Sequence, residues 1–152
     1  AISAASLAGG VAARKGAARA GRELNGFAMG AMPLIATAAD KTTLESRVRD
    51  VRARIAFYAS TPAYLIAFES EGYGDVAREL QQYSRAQRWE EMPRFVDDAM
   101  LDTYAVTGTY DEIAGKLKSR FAGCATHLQF AIPAADAAQQ AMLRELLASL
   151  RA

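Results

Sequence analysis

The residues with the most chemical potential in this chain are Cys124 and His127, separated by two residues in a Cys-x-x-His spacing. Such a pair serves either a metal site or a thiolate–imidazole dyad. A tetrahedral metal site needs three or four ligands, and the sequence has no other cysteine or histidine. Both residues also stand at the start of an apolar segment, so a structural role is expected for them. The carboxylates Glu90, Glu91, Asp97, Asp98 and Asp102 form the second cluster. Helical periodicity spreads them apart and no calcium-loop spacing is present, which leaves a solvated face. Arg47, Arg49, Arg52 and Arg54 read as a salt-bridged surface, from which one guanidinium could still reach an anionic cofactor. The glycines at 9, 10, 16, 21 and 26 do not match a phosphate-loop spacing.

The elements that must position these groups follow from periodicity. Residues 4–24 read as a small-residue helix with Leu7, Val11, Ala18 and Leu24 among its apolar positions, closed by Asn25-Gly26. Phe27 to Ala38 is an apolar run without helical charge spacing. It predicts a buried strand centred on Leu34 to Thr37, although Pro33 removes one ladder donor. Asp40 suits the cap of a helix whose stripe is Leu44, Val48, Val51, Ile55 and Tyr58, all on one face. Glu45 with Arg49, and Asp50 with Arg54, are spaced for i,i+4 ion pairs on the opposite side.

Thr61 and Pro62 are suited to cap and open a short helix over 62–70. A further helix is expected from Asp75, carrying Val76, Leu80 and Tyr83. Another begins near Trp89 and buries Met92, Phe95, Val96, Ala99 and Met100. Thr107-Gly108-Thr109 reads as a turn, and Thr109 with Glu112 forms a capping box for a helix ending at Gly123. Thr126 to Ile132 is a second strand candidate, and the last helix runs from about Asp136 to Leu150 with Leu143, Leu146, Leu147 and Leu150 inward.

Two apolar strands separated by helices imply parallel crossovers. A parallel sheet needs several strands and two covered faces. The chain also opens at Ala1, inside an Ala-rich helical pattern. A segment of a larger domain is therefore expected. With 18 basic and 17 acidic residues the net charge is +1, so nothing favours nucleic acid. The apolar stretches are short and broken by charge, which excludes a membrane span. A lone cysteine suits a reducing compartment, and a cytoplasmic location is the expectation.

Three stretches carry a resemblance to a known family. Ile55-Ala56-Phe57-Tyr58-Ala59-Ser60-Thr61-Pro62-Ala63-Tyr64 is the most specific. Leu80 to Asp102 is the second, with Ser84, Trp89, Glu91, Met92, Asp97, Asp98, Leu101 and Asp102 in matching places. Val106-Thr107-Gly108-Thr109-Tyr110-Asp111-Glu112-Ile113 is the third. Together they resemble the C-terminal region of luciferase-like monooxygenases, in the branch that uses the deazaflavin coenzyme F420, and the resemblance extends over about residues 15–152. Three stretches depart from that pattern. Tyr110 replaces a proline, Leu65 stands where the branch often has arginine, and Glu71-Gly72-Tyr73 replaces His-Gly-Trp.

The resemblance implies the α/β fold class, as the C-terminal portion of a (β/α)8 TIM barrel. Residues 1–39 would supply helix six and strand seven, residues 40–105 a helical insertion, and residues 106–152 helix seven, strand eight and helix eight. It implies an oxidoreductase that transfers hydride between coenzyme F420 and a small organic substrate. An FMN-dependent monooxygenase and a non-catalytic helical interaction module are the alternatives. Sites of such barrels lie at the C-terminal strand ends, which here are Thr37-Ala38 and Ile132-Pro133. Thr37, Tyr58, Ser60 and Tyr64 are the substrate- or cofactor-facing candidates, with Tyr58 better explained as the end of its apolar stripe, since such stripes are usually core. No acid or base stands out as catalytic, this chain alone is expected to be inactive, and self-association is left open.

Overall fold

The computed structural model describes residues 4–151, with side chains from residue 12 onward. The positions of Leu7 and Val11 in the first apolar stripe lie outside the described side chains. Helix α1 spans Ala4–Arg19. It ends five residues before the expected Asn25-Gly26, because Gly21 already takes the left-handed conformation (φ 61°) that closes a helix. The Arg14 guanidinium donates to the Gly123 carbonyl and ties this helix to a distant part of the chain.

The apolar run from Gly30 to Ala38 forms two strands: β1 (Gly30–Ala31) and β2 (Leu34–Ala38). The buried Pro33 lies between them. Proline has no N–H to continue a ladder, so the chain changes partner there. Strand β1 pairs in parallel with β4 (His127–Leu128), Gly30 opposite His127. Strand β2 pairs in parallel with β3 (Ala105–Thr109), Leu34 opposite Ala105 and Ala38 opposite Thr109.

Two expectations are corrected at this point. Val106 to Thr109 is a strand rather than a turn, since the pairing with β2 supplies what a short Gly-containing segment does not signal by itself. The second strand is shorter than residues 126–132. Beyond Leu128 only the Gln129 amide continues the ladder, to the Ala31 carbonyl at 2.9 Å.

The β2–β3 ribbon separates two apolar clusters, because successive side chains point to opposite faces. Leu34, Ala36 and Ala105 join a larger core with Val51, Ile55, Phe68, Leu80, Met92, Met100 and Tyr104. Ile35 and Val106 face a smaller one with Ile113, Leu117, Phe121 and Leu146. Helix α2 (Lys41–Ala59) borders the first core, with Val51 and Ile55 buried and Leu44, Val48 and Tyr58 packed beside them. The predicted stripe is therefore the buried face. Its cap is Asp40, whose Oδ1 accepts from the Thr43 amide at 2.9 Å and whose Oδ2 accepts from the Thr43 hydroxyl at 2.8 Å. These bonds, the backbone one foremost, hold the Asp40 carboxyl below its ordinary pKa.

The ion pairs expected along α2 do not form among the described residues. The Arg52 side chain instead reaches to another segment, donating to the Val96 carbonyl and pairing with Asp98. After α3 (Leu65–Glu69) and α4 (Gly74–Arg85), the helix expected from Trp89 is divided. A 3-10 segment, Trp89–Phe95, contains Pro93, and α5 (Asp98–Tyr104) starts anew at Asp97. Asp97 accepts from the Met100 amide at 2.8 Å, so a second cap makes a second helix. Ala99 is consequently exposed rather than buried.

Helix α6 (Tyr110–Phe121) begins with the predicted capping box of Thr109 and Glu112. Glu112 also takes Lys116, and this bond, with that from the Thr109 amide, keeps its carboxyl below the ordinary value. The chain closes with α7 (Ala137–Arg151), where Asp136 accepts from the Gln139 amide at 2.8 Å.

Candidate aromatic site at the end of helix α2

The most specific motif lies where α2 stops. The Ser60 hydroxyl donates to the Phe57 carbonyl at 2.8 Å, and the Thr61 hydroxyl donates to the same oxygen at 3.1 Å. Thr61 thus does not cap the next turn with its side chain. Both hydroxyls instead satisfy a carbonyl of the last helical turn, one of the acceptors a helix end leaves open. Pro62 then starts a 3-10 turn, Pro62–Tyr64, which folds the chain back along α2.

The reversal sets Tyr64 perpendicular to Tyr58, with ring centroids 5.6 Å apart and planes at 89°. Tyr58 meets Phe57 at 6.0 Å and 62°, and Phe57 meets Trp89 at 6.3 Å and 39°. The outcome is a ladder of four rings, Trp89–Phe57–Tyr58–Tyr64. Tilted and edge-to-face contacts at such distances match the quadrupoles of the rings. Three of the four rings stay open to solvent: Phe57 is 53% exposed, Tyr64 47% and Trp89 44%. Ile66, which follows on α3, is 77% exposed.

Of the residues predicted to face a substrate, Tyr58, Ser60 and Tyr64 therefore meet on one turn. Thr37 belongs to β2, opposite Gly108. It is only 7% exposed, and its hydroxyl has no partner among the described residues. Sequence reasoning missed Phe57 and Trp89. A signal existed for Phe57, which falls off the buried stripe of α2 by one helical step and so must point elsewhere.

The other chemical candidates resolve into structure. The Cys124 thiol donates to the Phe121 carbonyl at 3.1 Å, while His127 Nδ1 faces the Thr126 hydroxyl at 2.8 Å. The two are not brought together by any bond. Glu91 is gripped by Arg88 through two bonds of 2.6 and 2.7 Å, which holds its carboxyl below the ordinary range. Arg88 also lies 4.3 Å from the centre of the Tyr83 ring, and Arg94 donates to the Tyr83 hydroxyl at 2.8 Å. Asp97 and Asp98 are used in the cap and the Arg52 pair described above. Among the described residues no group of three or more metal-ligating side chains occurs, and no helix is long and apolar enough to cross a membrane.

A second aromatic group is closed inside the large core. Tyr104 lies against Phe68 at 4.6 Å and Tyr73 at 5.8 Å. The Tyr73 hydroxyl meets the Thr103 hydroxyl at 3.3 Å, whereas that of Tyr104 has no partner among the described residues. Burial chiefly, then the charge of Glu71, pushes the Tyr104 phenol far above its ordinary value of 10.0. A raised folded-state pKa contributes stability that is whole below the unfolded value and lost as pH rises above it. Tyr104→Phe is expected to be neutral or slightly stabilising at pH 7, since it removes an unpaired buried hydroxyl. It should also flatten the loss of stability above about pH 10. Urea titrations at a series of alkaline pH values check both parts.

Parallel strand pairs joined through helices, with an aromatic turn at the end of the longest described helix, make a helix-rich α/β domain. Residues 8–127 match the luciferase-like monooxygenase family, and the chain belongs to that family. It is similar to the uncharacterized proteins Rv1360 of Mycobacterium tuberculosis and Mb1395 of Mycobacterium bovis. Each is 37% identical over 137 residues, covering 90% of this chain and 39% of the relative. The chain thus spans about two fifths of the length of these curated relatives.

Proposed function

We propose that this chain is the C-terminal part of a (β/α)8-barrel oxidoreductase that transfers hydride between coenzyme F420 and a small organic substrate. On this reading residues 1–39 supply helix six and strand seven, residues 40–105 the helical insertion, and residues 106–152 helix seven, strand eight and helix eight. The parallel β1–β4 ladder supports adjacent strands seven and eight. The share of the relatives' length supports a larger whole.

The observation that carries the reading is the turn bearing Tyr58, Ser60 and Tyr64, inside the residues that match the family. Its rings and phenolic hydroxyls suit one wall of the substrate's pocket beside the cofactor, while the buried Thr37 hydroxyl stands apart at a strand end. This set holds no fixed cation for the cofactor's phosphate. When bound, the cofactor supplies the hydride chemistry. The residues of this chain orient the reactants and keep water from them.

The FMN-dependent monooxygenase is the second reading, favoured by the family's description. An isolated helical interaction module is the third, favoured by a large core built from residues between Leu34 and Ala105 alone. The 152-residue chain by itself is expected to lack oxidoreductase activity and stoichiometric cofactor binding. Fluorescence titration with coenzyme F420 and with FMN checks this. A protein of the relatives' length that contains this chain should oxidise reduced F420 in the presence of substrate. Turnover with reduced FMN and oxygen alone would support the second reading, and binding of neither cofactor would support the third.

A further inference from the structure

Building on that reading of the α2 turn, we infer that the ladder Trp89–Phe57–Tyr58–Tyr64 receives a planar, uncharged aromatic compound bearing a carbonyl oxygen. The rings are the first argument. Each neighbouring pair is tilted or edge-to-face, at 39°, 62° and 89° along the ladder. Such a series offers both ring faces and ring edges, and a further ring can complement both. Phe57, Tyr64 and Trp89 keep roughly half of their surface in water, while Phe68 and Tyr104 of the interior group are closed off.

The hydroxyls are the second argument. Those of Tyr58 and Tyr64 make no hydrogen bond among the described residues, so both are free to donate. The hydroxyls of Ser60 and Thr61 are already donating to the Phe57 carbonyl and do not compete. Two phenolic donors beside an aromatic surface match a carbonyl acceptor attached to a ring. The four ladder side chains carry no charge, which favours a neutral compound over an anion or cation. An aliphatic ketone would use the donors but forgo the ring contacts.

Trp89 is the only tryptophan in the chain, so its indole N–H gives a single cross-peak in a nitrogen–proton correlation spectrum. The test titrates the labelled chain with acetonaphthone, ethylnaphthalene and dodecanone. Acetonaphthone should shift the indole peak saturably. It should bind about fivefold more tightly than ethylnaphthalene, the factor one net hydrogen bond supplies, and about tenfold more tightly than dodecanone, through the ring contacts.

The double variant Tyr58→Phe with Tyr64→Phe keeps the rings and should bring acetonaphthone down to the affinity of ethylnaphthalene. Phe57→Leu, at an exposed position, should weaken both aromatic compounds alike. Absence of a saturable shift overturns the proposal. So does equal binding of ketone and hydrocarbon by the unaltered chain, or dodecanone binding as tightly as acetonaphthone. Hydride transfer by the longer protein to aliphatic substrates only, with an unmoved indole peak, would overturn this inference and keep the oxidoreductase reading. Saturable binding without any cofactor-dependent turnover would do the reverse.

Discussion

Arg120→Met is expected to lower the unfolding free energy by about 3 kcal/mol, the scale of losing three hydrogen bonds from a charged donor to exposed and part-buried carbonyls. Arg120 sits in the last turn of α6, partly buried. It donates to the carbonyls of Asp102 at 2.6 Å and Ala105 at 2.8 Å, and to that of Thr103. Two of these belong to the end of α5 and the third to the first residue of β3. A seven-residue helix leaves its final carbonyls without intrahelical donors. One guanidinium satisfies them and fastens the helical segment to the ribbon. Burial lowers the Arg120 pKa, with Asp102 opposing, but arginine remains charged at any working pH.

Methionine preserves most of the stem packing and removes only the donors. Arg120→Lys should recover less than half of the loss, because an ammonium cannot reach three carbonyls with the planar fork of arginine. Arg78→Met is the control. Its pairs with Asp75 and Glu69 are exposed, and surface pairs contribute about 0–1 kcal/mol. Urea unfolding of the three variants separates these cases. A loss for Arg120→Met no larger than for Arg78→Met would remove the clamp from this account.

Phe68→Ala is expected to cost about 3–5 kcal/mol, the range for deleting a buried ring. Phe68 is 2% exposed and packs against Tyr104 at 4.6 Å. Its removal opens a cavity between α3, α4 and α5 that a rigid neighbourhood of Leu80, Met92 and Met100 cannot collapse into. Ile66→Ala, two residues earlier on the same short helix, should stay within about 0.5 kcal/mol, as exposed substitutions do. The contrast isolates packing from helix propensity, since both changes install the same residue. Amide exchange should quicken first in α3 to α5, leaving the α6–α7 cluster protected. Equal effects of the two substitutions would show that α3 is not anchored by the first core.

Periodicity made α2 legible because five apolar residues repeat at the helical interval and a polar cap precedes them. The Thr109–Glu112 box was legible for the same reason, as both partners lie within one turn. The motif residues Tyr58, Ser60 and Tyr64 could likewise be named from their order alone. What could not be read was anything that depends on a distant partner. Strand β3 exists because β2 lies alongside it, and Arg52 finds Asp98 rather than a neighbour on its own helix.

The aromatic turn therefore has two origins. The sequence by itself determined the helix that carries Tyr58, the proline that ends it and the hydroxyls that satisfy its last carbonyl, all by interactions within a few residues. Only the tertiary structure decided that Tyr64 returns against Tyr58 and that Trp89 arrives beside Phe57. Contacts between rings 32 positions apart, as for Phe57 and Trp89, depend on how α4 and the 3-10 segment pack on α2. That packing minimises exposed apolar surface over the whole chain and leaves no local trace.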